Sequence, residues 1–200
     1  MRIGILLFDE VEVLDACGPF EVFSVAARLQ GVAASEAARI SVTLISVYED
    51  RPVVVARGGL RLTADVTIAS AGSFDLLLVP GGVTTAVEGD PKAIAWLAAQ
   101  RDTPTIASVC TGAFLLAEAG ILRGGQVTTH WEDQAELAAR YPALEVLHGP
   151  RWVQQGSLYT SAGISAGLDL ALHLTGLVDP ALPARVARQM DYVPQPNEGA

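Results

Sequence analysis

One cysteine of this chain stands where a thiol could act as a nucleophile. In Ala107-Ser108-Val109-Cys110-Thr111-Gly112-Ala113, an apolar stretch runs straight into Cys110, and a glycine and a helical pattern follow it. A thiol between a strand and a helix N-terminus sits on a tight turn, where the helix dipole and free N–H groups favour the thiolate. That is the layout of a nucleophile elbow with sulfur as the attacking atom. It predicts a depressed thiol pKa and ready oxidation. The other reading of Cys110 is a small buried hydrophobe, the commoner fate of a lone cysteine. No imidazole base stands beside it in the chain, because the next residue is Thr111.

Three further places carry residues suited to chemistry. Pro80-Gly81-Gly82 ends an apolar run and offers backbone N–H groups with no side chains in the way. Beside a cysteine, the donors of Gly81 and Gly82 could hold an oxyanion, whereas alone they read as an ordinary turn. Asp15, within Leu14-Asp15-Ala16-Cys17-Gly18-Pro19, is either a helix N-cap or a general acid/base facing the thiol. His130, in Thr128-Thr129-His130-Trp131, either orients groups in a site or serves as a cap packed on Trp131. Glu10 and Glu12 read as surface residues, Cys17 as packing under a helix, and His148 and His173 as structural.

The elements that must position these residues alternate between strand and helix. Ile3–Phe8 is a continuous apolar run, as in a strand buried on both faces. Gly18-Pro19 opens a helical pattern that Gly31 stops. Strands are predicted at Ile40–Val47, Phe74–Val79, Thr105–Val109, Gln126–Thr129 and Glu145–Leu147. Hairpins are predicted at Val53–Ala56 with Leu60–Thr63, and at Arg151–Gln155 with Leu158–Ser161. Helices are predicted at about Pro91–Gln100 with Asp90 as N-cap, from Cys110 to Ala119, at Glu132–Arg140, Ser165–Leu174 and Pro180–Met190. The Pro/Gly/Asn-rich tail Pro194–Ala200 reads as frayed. This order predicts an α/β fold, with a parallel sheet between helices and ligands bound beyond the carboxyl ends of the strands. No repeat or composition break divides residues 1–200, so one domain is expected.

Composition narrows the function. The chain has 200 residues, half of them apolar and 18% charged, with mean hydropathy +0.36. That excludes a disordered chain and predicts a well-filled core. Thirteen basic against twenty-two acidic residues give a net charge of −9. Such a surface repels phosphate backbones and anionic lipid, so neither nucleic acid nor membrane is an expected partner. Two cysteines and three scattered histidines make no metal-ligand spacing, so no metal or other cofactor is expected. The N-terminal apolar run is too short for a secretory signal, and no stretch is long enough to span a bilayer. A cytoplasmic protein with reduced thiols is the expectation.

Taken together, five segments give the chain a resemblance to the ThiJ/PfpI family, which belongs with the class I glutamine-amidotransferase-like folds. They are Leu14-Asp15 with Gly18-Pro19, Val79-Pro80-Gly81-Gly82, Ser108 to Ala113, Thr129-His130-Trp131, and Thr160 to Asp169. The resemblance implies a flavodoxin-like three-layer sandwich with a mostly parallel central sheet, and a homodimer with its site near the subunit interface. It places the nucleophile at Cys110, an acid/base carboxylate at Asp15 and backbone donors at Gly82 and the elbow. Within the family the pattern is most similar to isocyanide hydratases and to the amidase-like sensor half of AraC-type regulators. Many relatives carry Glu where this chain has Asp15, and some carry His where it has Thr111, which favours the hydratase branch over protease-like activity. The regulators share the Thr-His-Trp and Ser-Ala-Gly segments but continue into a helix-turn-helix module. The ending Tyr192-Val193-Pro194-Gln195-Pro196 resembles the stand-alone enzymes instead.

The resulting expectation is hydration of an isocyanide to an N-substituted formamide. Cys110, Asp15 and Thr111 would be catalytic, Gly81, Gly82 and His130 would bind the small-molecule substrate, and the pocket would be lined by aliphatic and aromatic side chains. A ligand-sensing domain, and a glyoxalase or deglycase acting on small aldehydes, are the alternatives.

Overall fold

In the computed structural model, which describes residues 1–31 and 39–197, the buried apolar runs of the sequence become the middle of one sheet. Strand β1 (Arg2–Leu7) carries Ile3, Ile5, Leu6 and Leu7, none of them exposed to solvent. β6 (Leu76–Val79) is equally buried, and β7 (Thr105–Val109) nearly so. Strands covered on both faces gain from apolar side chains at every position rather than at alternate ones. β1 pairs in parallel with β2 (Ser41–Ser46) on one edge and β6 on the other, and β6 pairs in parallel with β7. The sheet is completed by β5 (Val66–Thr67) beyond β2 and, beyond β7, by the hairpin of β10 (Trp152–Gln155) and β11 (Leu158–Ser161). The order is β10-β11-β7-β6-β1-β2-β5, parallel throughout except for the β10–β11 pair. Two pairs stand outside it, β3 (Val53–Val55) with β4 (Arg61–Thr63), and β8 (Gly125–Val127) with β9 (Leu144–Val146).

The chain steps from β1 outward to β2 and later from β6 outward in the opposite direction to β7. Right-handed crossovers therefore put the connecting helices on opposite faces. On one side α1 (Val13–Gln30) packs with α6 (Ala166–Thr175) and α7 (Leu182–Gln189). On the other, α2 (Thr85–Glu88), α3 (Pro91–Ala99) and α4 (Gly112–Glu118) pack together. α5 (Gln134–Arg140) lies against β9. This is the parallel sheet between helices expected from the alternating elements, in the flavodoxin-like three-layer form that the resemblance implies, and its direction reverses between β1 and β6. No described helix is long and apolar enough to cross a membrane.

Most elements fall within a residue or two of their expected ends, and Asp90 caps α3 as expected, accepting from Lys92 N at 2.9 Å. Three expectations need correction. α1 begins at Val13, not at Gly18-Pro19, and carries Pro19 inside it. A proline early in a helix forfeits a single backbone bond, here the one Asp15 C=O would accept, and the buried face of α1 outweighs that loss. The two short elements β5 and α2 carry no periodicity long enough to read. The third correction is the tail. Asp169, buried on α6, accepts from Arg151 Nε at 2.5 Å, Tyr192 Oη at 3.0 Å and Gln195 N at 3.1 Å. The Asn197 side chain then pairs with both backbone groups of Trp152 on the edge strand β10, at 3.1 and 3.0 Å. The tail is thus tied down through Asn197, and residues 198–200 of the stretch expected to fray lie outside the described residues.

Asp169→Ala strands the half-buried Arg151 guanidinium and releases the tail, so urea denaturation should find it less stable by about 3 kcal/mol. Tyr192→Phe, which removes one of the bonds to that carboxylate, should lose only about 1 kcal/mol.

Candidate active site

Because β7, β6 and β1 are neighbours in parallel, their carboxyl ends bring Cys110, Gly81 and Asp15 to one edge of the sheet. This is the crevice at the topological switch point. Cys110 follows β7 with φ +56°, the left-handed conformation that lifts a side chain out of a strand-to-helix turn. Its backbone is held from three directions. Its N–H donates to Ser161 O at 3.1 Å and Ala162 O at 3.3 Å, and its carbonyl accepts from Thr129 Oγ1 at 2.6 Å. Gly112 makes the turn possible, since a Cβ there would lie 2.2 Å from Val79 O at the end of β6.

Asp15 lies in the first turn of α1 with no solvent exposure. It is not the N-cap, a position held by Glu12. Its Oδ2 accepts from Gly81 N at 3.1 Å, while Oδ1 is buried with no hydrogen-bond partner among the described residues. Burial raises its pKa from the ordinary 3.8 to about 7; the Gly81 N–H opposes the rise, and the charge of Glu12 adds to it. The Cys110 thiol also interacts with this carboxyl and lowers its pKa slightly, without meeting the geometry of a full hydrogen bond.

The thiol itself is not depressed, contrary to expectation. Burial first, and then the charge of Asp15, push it up to about 12. The backbone N–H groups of Thr111 and Ile164 face the sulfur and pull the other way, but they do not offset the loss of water. The resting proton therefore sits on sulfur, and near neutral pH Asp15 is close to half ionised.

Gly81 and Gly82 lie where expected, but their N–H groups are engaged. The first serves Asp15, and the second donates to Thr111 Oγ1 at 2.8 Å. The Thr111 hydroxyl donates back to Gly82 O at 2.8 Å, so it latches the end of β6 to the elbow. The donors left facing the sulfur are the backbone N–H groups of Thr111 and Ile164. His130 reaches the same cavity, with Nδ1 at 3.3 Å from Asp133 Oδ2 and 3.8 Å from Glu132 Oε2.

That cavity measures about 180 Å³ and is bounded by Gly82, Cys110, Thr111, His130 and Ile164, with Glu12, Arg57, Glu132 and Asp133 around them. The expected aliphatic and aromatic lining is absent. Ile164 is the one large apolar side chain, because the residues after the strand ends come from polar loops. Sequence reasoning missed five contributors, Glu132 among them. Glu12 lines the cavity rather than the open surface, Arg57 arrives from the β3–β4 hairpin, Asp133 precedes α5, and Ile164 adopts φ +45°. Ile164 lies in the Thr160 to Asp169 segment, which was legible as a motif. Glu12 and Arg57, paired at 3.3 Å, meet only through tertiary structure.

Comparison with known proteins agrees with this architecture. The chain is 32% identical over 199 residues to an isonitrile hydratase of Pseudomonas putida, spanning 98% of this chain and 80% of that protein. It is 29% identical over 175 residues to the HTH-type transcriptional regulator GbdR of Pseudomonas aeruginosa, covering 87% of this chain but 46% of the regulator. Among solved structures, a ThiJ/PfpI family protein from Pseudomonas syringae superposes with a TM-score of 0.82 at 27% identity, over 100% of this chain and 78% of that one. Drosophila melanogaster DJ-1beta shares the fold, with a TM-score of 0.81 at 19% identity over 96% and 98% of the two chains. The DJ-1/PfpI family profile matches residues 1–176, and with a relative above 30% identity along nearly its whole length, the chain belongs to the DJ-1/PfpI family.

Proposed function

We propose that the protein hydrates isocyanides to N-substituted formamides, with Cys110 as nucleophile and Asp15 as the group that moves protons. The observation that carries this reading is a thiol on a strained elbow beside a fully buried carboxyl whose second oxygen has no partner. Similarity to an isonitrile hydratase supports the substrate class.

The first step joins sulfur to the terminal carbon of R–N≡C while the thiol proton passes to the Asp15 carboxylate. The N–H groups of Thr111 and Ile164 stabilise the sulfur as charge develops on it. Asp15 then returns the proton to the new carbanionic carbon, leaving a neutral thioimidate, R–N=CH–S–Cys110. Water adds to that carbon, giving its proton to Asp15. Asp15 passes that proton to nitrogen, and the tetrahedral adduct R–NH–CH(OH)–S–Cys110 collapses: its hydroxyl gives its proton, by way of Asp15, to the departing sulfur as the C–S bond breaks, and R–NH–CHO leaves with the thiol restored. A carboxyl with a pKa near 7 suits both directions of this transfer. The Gly81 N–H holds Asp15 in place, and the Thr111–Gly82 latch keeps the strand end against the elbow. His130 and Gly82 bound the space the substrate takes. No cofactor enters these steps. The homodimer implied by the resemblance belongs to the same reading, supported by the exposure of Leu14, Val83 and Trp131, which adjoin Asp15, Gly82 and His130 in the chain.

A ligand-sensing role is the second reading, favoured by the similarity to GbdR across most of this chain. Incubation with an alkyl isocyanide separates the two. An enzyme releases formamide and passes through an adduct on Cys110 seen by mass spectrometry, whereas a sensor binds without turnover. Cys110→Ala should abolish formamide release, and unchanged turnover would remove the covalent route. Asp15→Asn should lower turnover by about 10²–10⁴-fold. The same variant should melt higher than the parent at pH 8. The raised carboxyl pKa makes ionisation oppose folding, a penalty absent below pH 3.8, growing up to about pH 7 and full above it. A margin that fails to shrink as the pH falls from 7 towards 4 would contradict the assignment. Alkylation of Cys110 should keep accelerating past about pH 10, without the plateau of an ordinary thiol near 8.5. Its midpoint should fall in Asp15→Asn, which loses the neighbouring negative charge.

A further inference from the structure

The cavity at Cys110 holds more negative charge than hydration of a neutral isocyano group requires. Glu12, Glu132 and Asp133 line it with one guanidinium, Arg57, and one imidazole, His130, whose Nδ1 lies 3.3 Å from Asp133 and 3.8 Å from Glu132. That guanidinium is already matched, its Nη1 3.3 Å from Glu12 Oε2. The adjoining cavity of about 230 Å³ shares Gly82, Thr111 and Asp133, and repeats the pattern with Glu88, Glu136 and Arg140. Arg140 is held by both of those carboxylates, at 2.5 and 3.3 Å. Across the two adjoining spaces five carboxylates face two paired guanidiniums and one imidazole. These are not all freely solvated surface groups. The Glu12 and Asp133 side chains are 22% and 32% exposed, so water screens them less than Glu132 and Glu136, which are 63% and 60% exposed. Both spaces converge on Thr111, beside the sulfur.

We infer that the site selects isocyanides whose R group carries a positive charge, an alkylammonium or quaternary ammonium, over neutral ones, and rejects those bearing a carboxylate or phosphate. This rests on the hydratase reading above. The isocyano carbon meets sulfur while the substituent, a few bonds away, lies among Glu132 and Asp133, which flank His130, and Glu12, which is paired with Arg57. Unit charges 6–8 Å apart in a partly screened cleft change binding by about tenfold. The chemical step is unaltered; the charge acts on kcat/KM through capture of the substrate.

The test measures formamide formation by the full chain from three isocyanides of matched length, carrying a trimethylammonium, a methyl or a carboxylate terminus. At low salt kcat/KM should fall in that order by about tenfold per step, and the spread should narrow in roughly 0.5 M salt. In Glu132→Gln the cation-to-neutral ratio should drop by several fold, and in Glu12→Gln, which leaves Arg57 unpaired, it should drop further. The ratio cancels any general loss of activity or of folded protein. Equal kcat/KM for all three substrates, or a ratio unmoved in both variants, overturns the charge preference and leaves the hydratase reading standing. Formamide from none of the three overturns the hydratase reading, and the inference falls with it.

Discussion

A carboxyl group removed from water and held by a single backbone N–H is the feature on which the site is organised. Asp15 has no exposure, and Gly81 N supplies its one hydrogen bond. That N–H belongs to the turn after β6, while the carboxyl belongs to the helix after β1. Their meeting depends on the parallel pairing of Ile3, Gly4 and Ile5 with Leu76, Leu77 and Leu78. The next strand over, paired through Val79 and Ser108, sets Cys110 at the same edge. A shift of one residue in either register would turn alternate side chains to the opposite face and separate the three groups. The buried, apolar strands are therefore what gives the polar edge its geometry.

Burial works on the two reactive groups in the same direction and with opposite chemical effect. It raises the carboxyl towards neutrality and so makes a useful proton carrier at ordinary pH. It also raises the thiol, which makes a poor resting nucleophile. In the proposed reaction the two are reconciled by keeping the proton on sulfur until attack, with the carboxylate beside it as acceptor. A thiol held protonated is also less open to oxidation than a free thiolate. In that proposed scheme the elbow and its two N–H groups act when charge appears, not before.

The same scaffold is similar over most of this chain both to an isonitrile hydratase and to a transcriptional regulator. The regulator is more than twice as long as the region it shares with this chain, which covers 46% of it. Here the cavity is polar and acidic where an apolar lining was expected, because loops after β1, β8 and the β3–β4 hairpin supply it. Its charge comes from side chains distant in sequence, such as Glu12 and Arg57, that neutralise each other in part.

Local chemistry made the sheet, most helices and the motif at Cys110 readable, because each depends on residues adjacent in the chain. Apolar runs mark doubly covered strands, Asp90-Pro91 marks a helix start, and Cys110 before Gly112 marks a sharp turn into a helix. Asp15 was visible as a carboxylate near the end of the first strand, but not as a buried one, since nothing local says that α1 begins at Val13 and turns that carboxylate inward. The engagement of Gly81, Gly82 and Thr111, the anchoring of the tail on Asp169 and the acidity of the cavity were equally hidden. Each of these joins groups tens of residues apart. Whether a polar atom is free, paired or desolvated depends on which other strand end arrives beside it, and only the folded chain decides that.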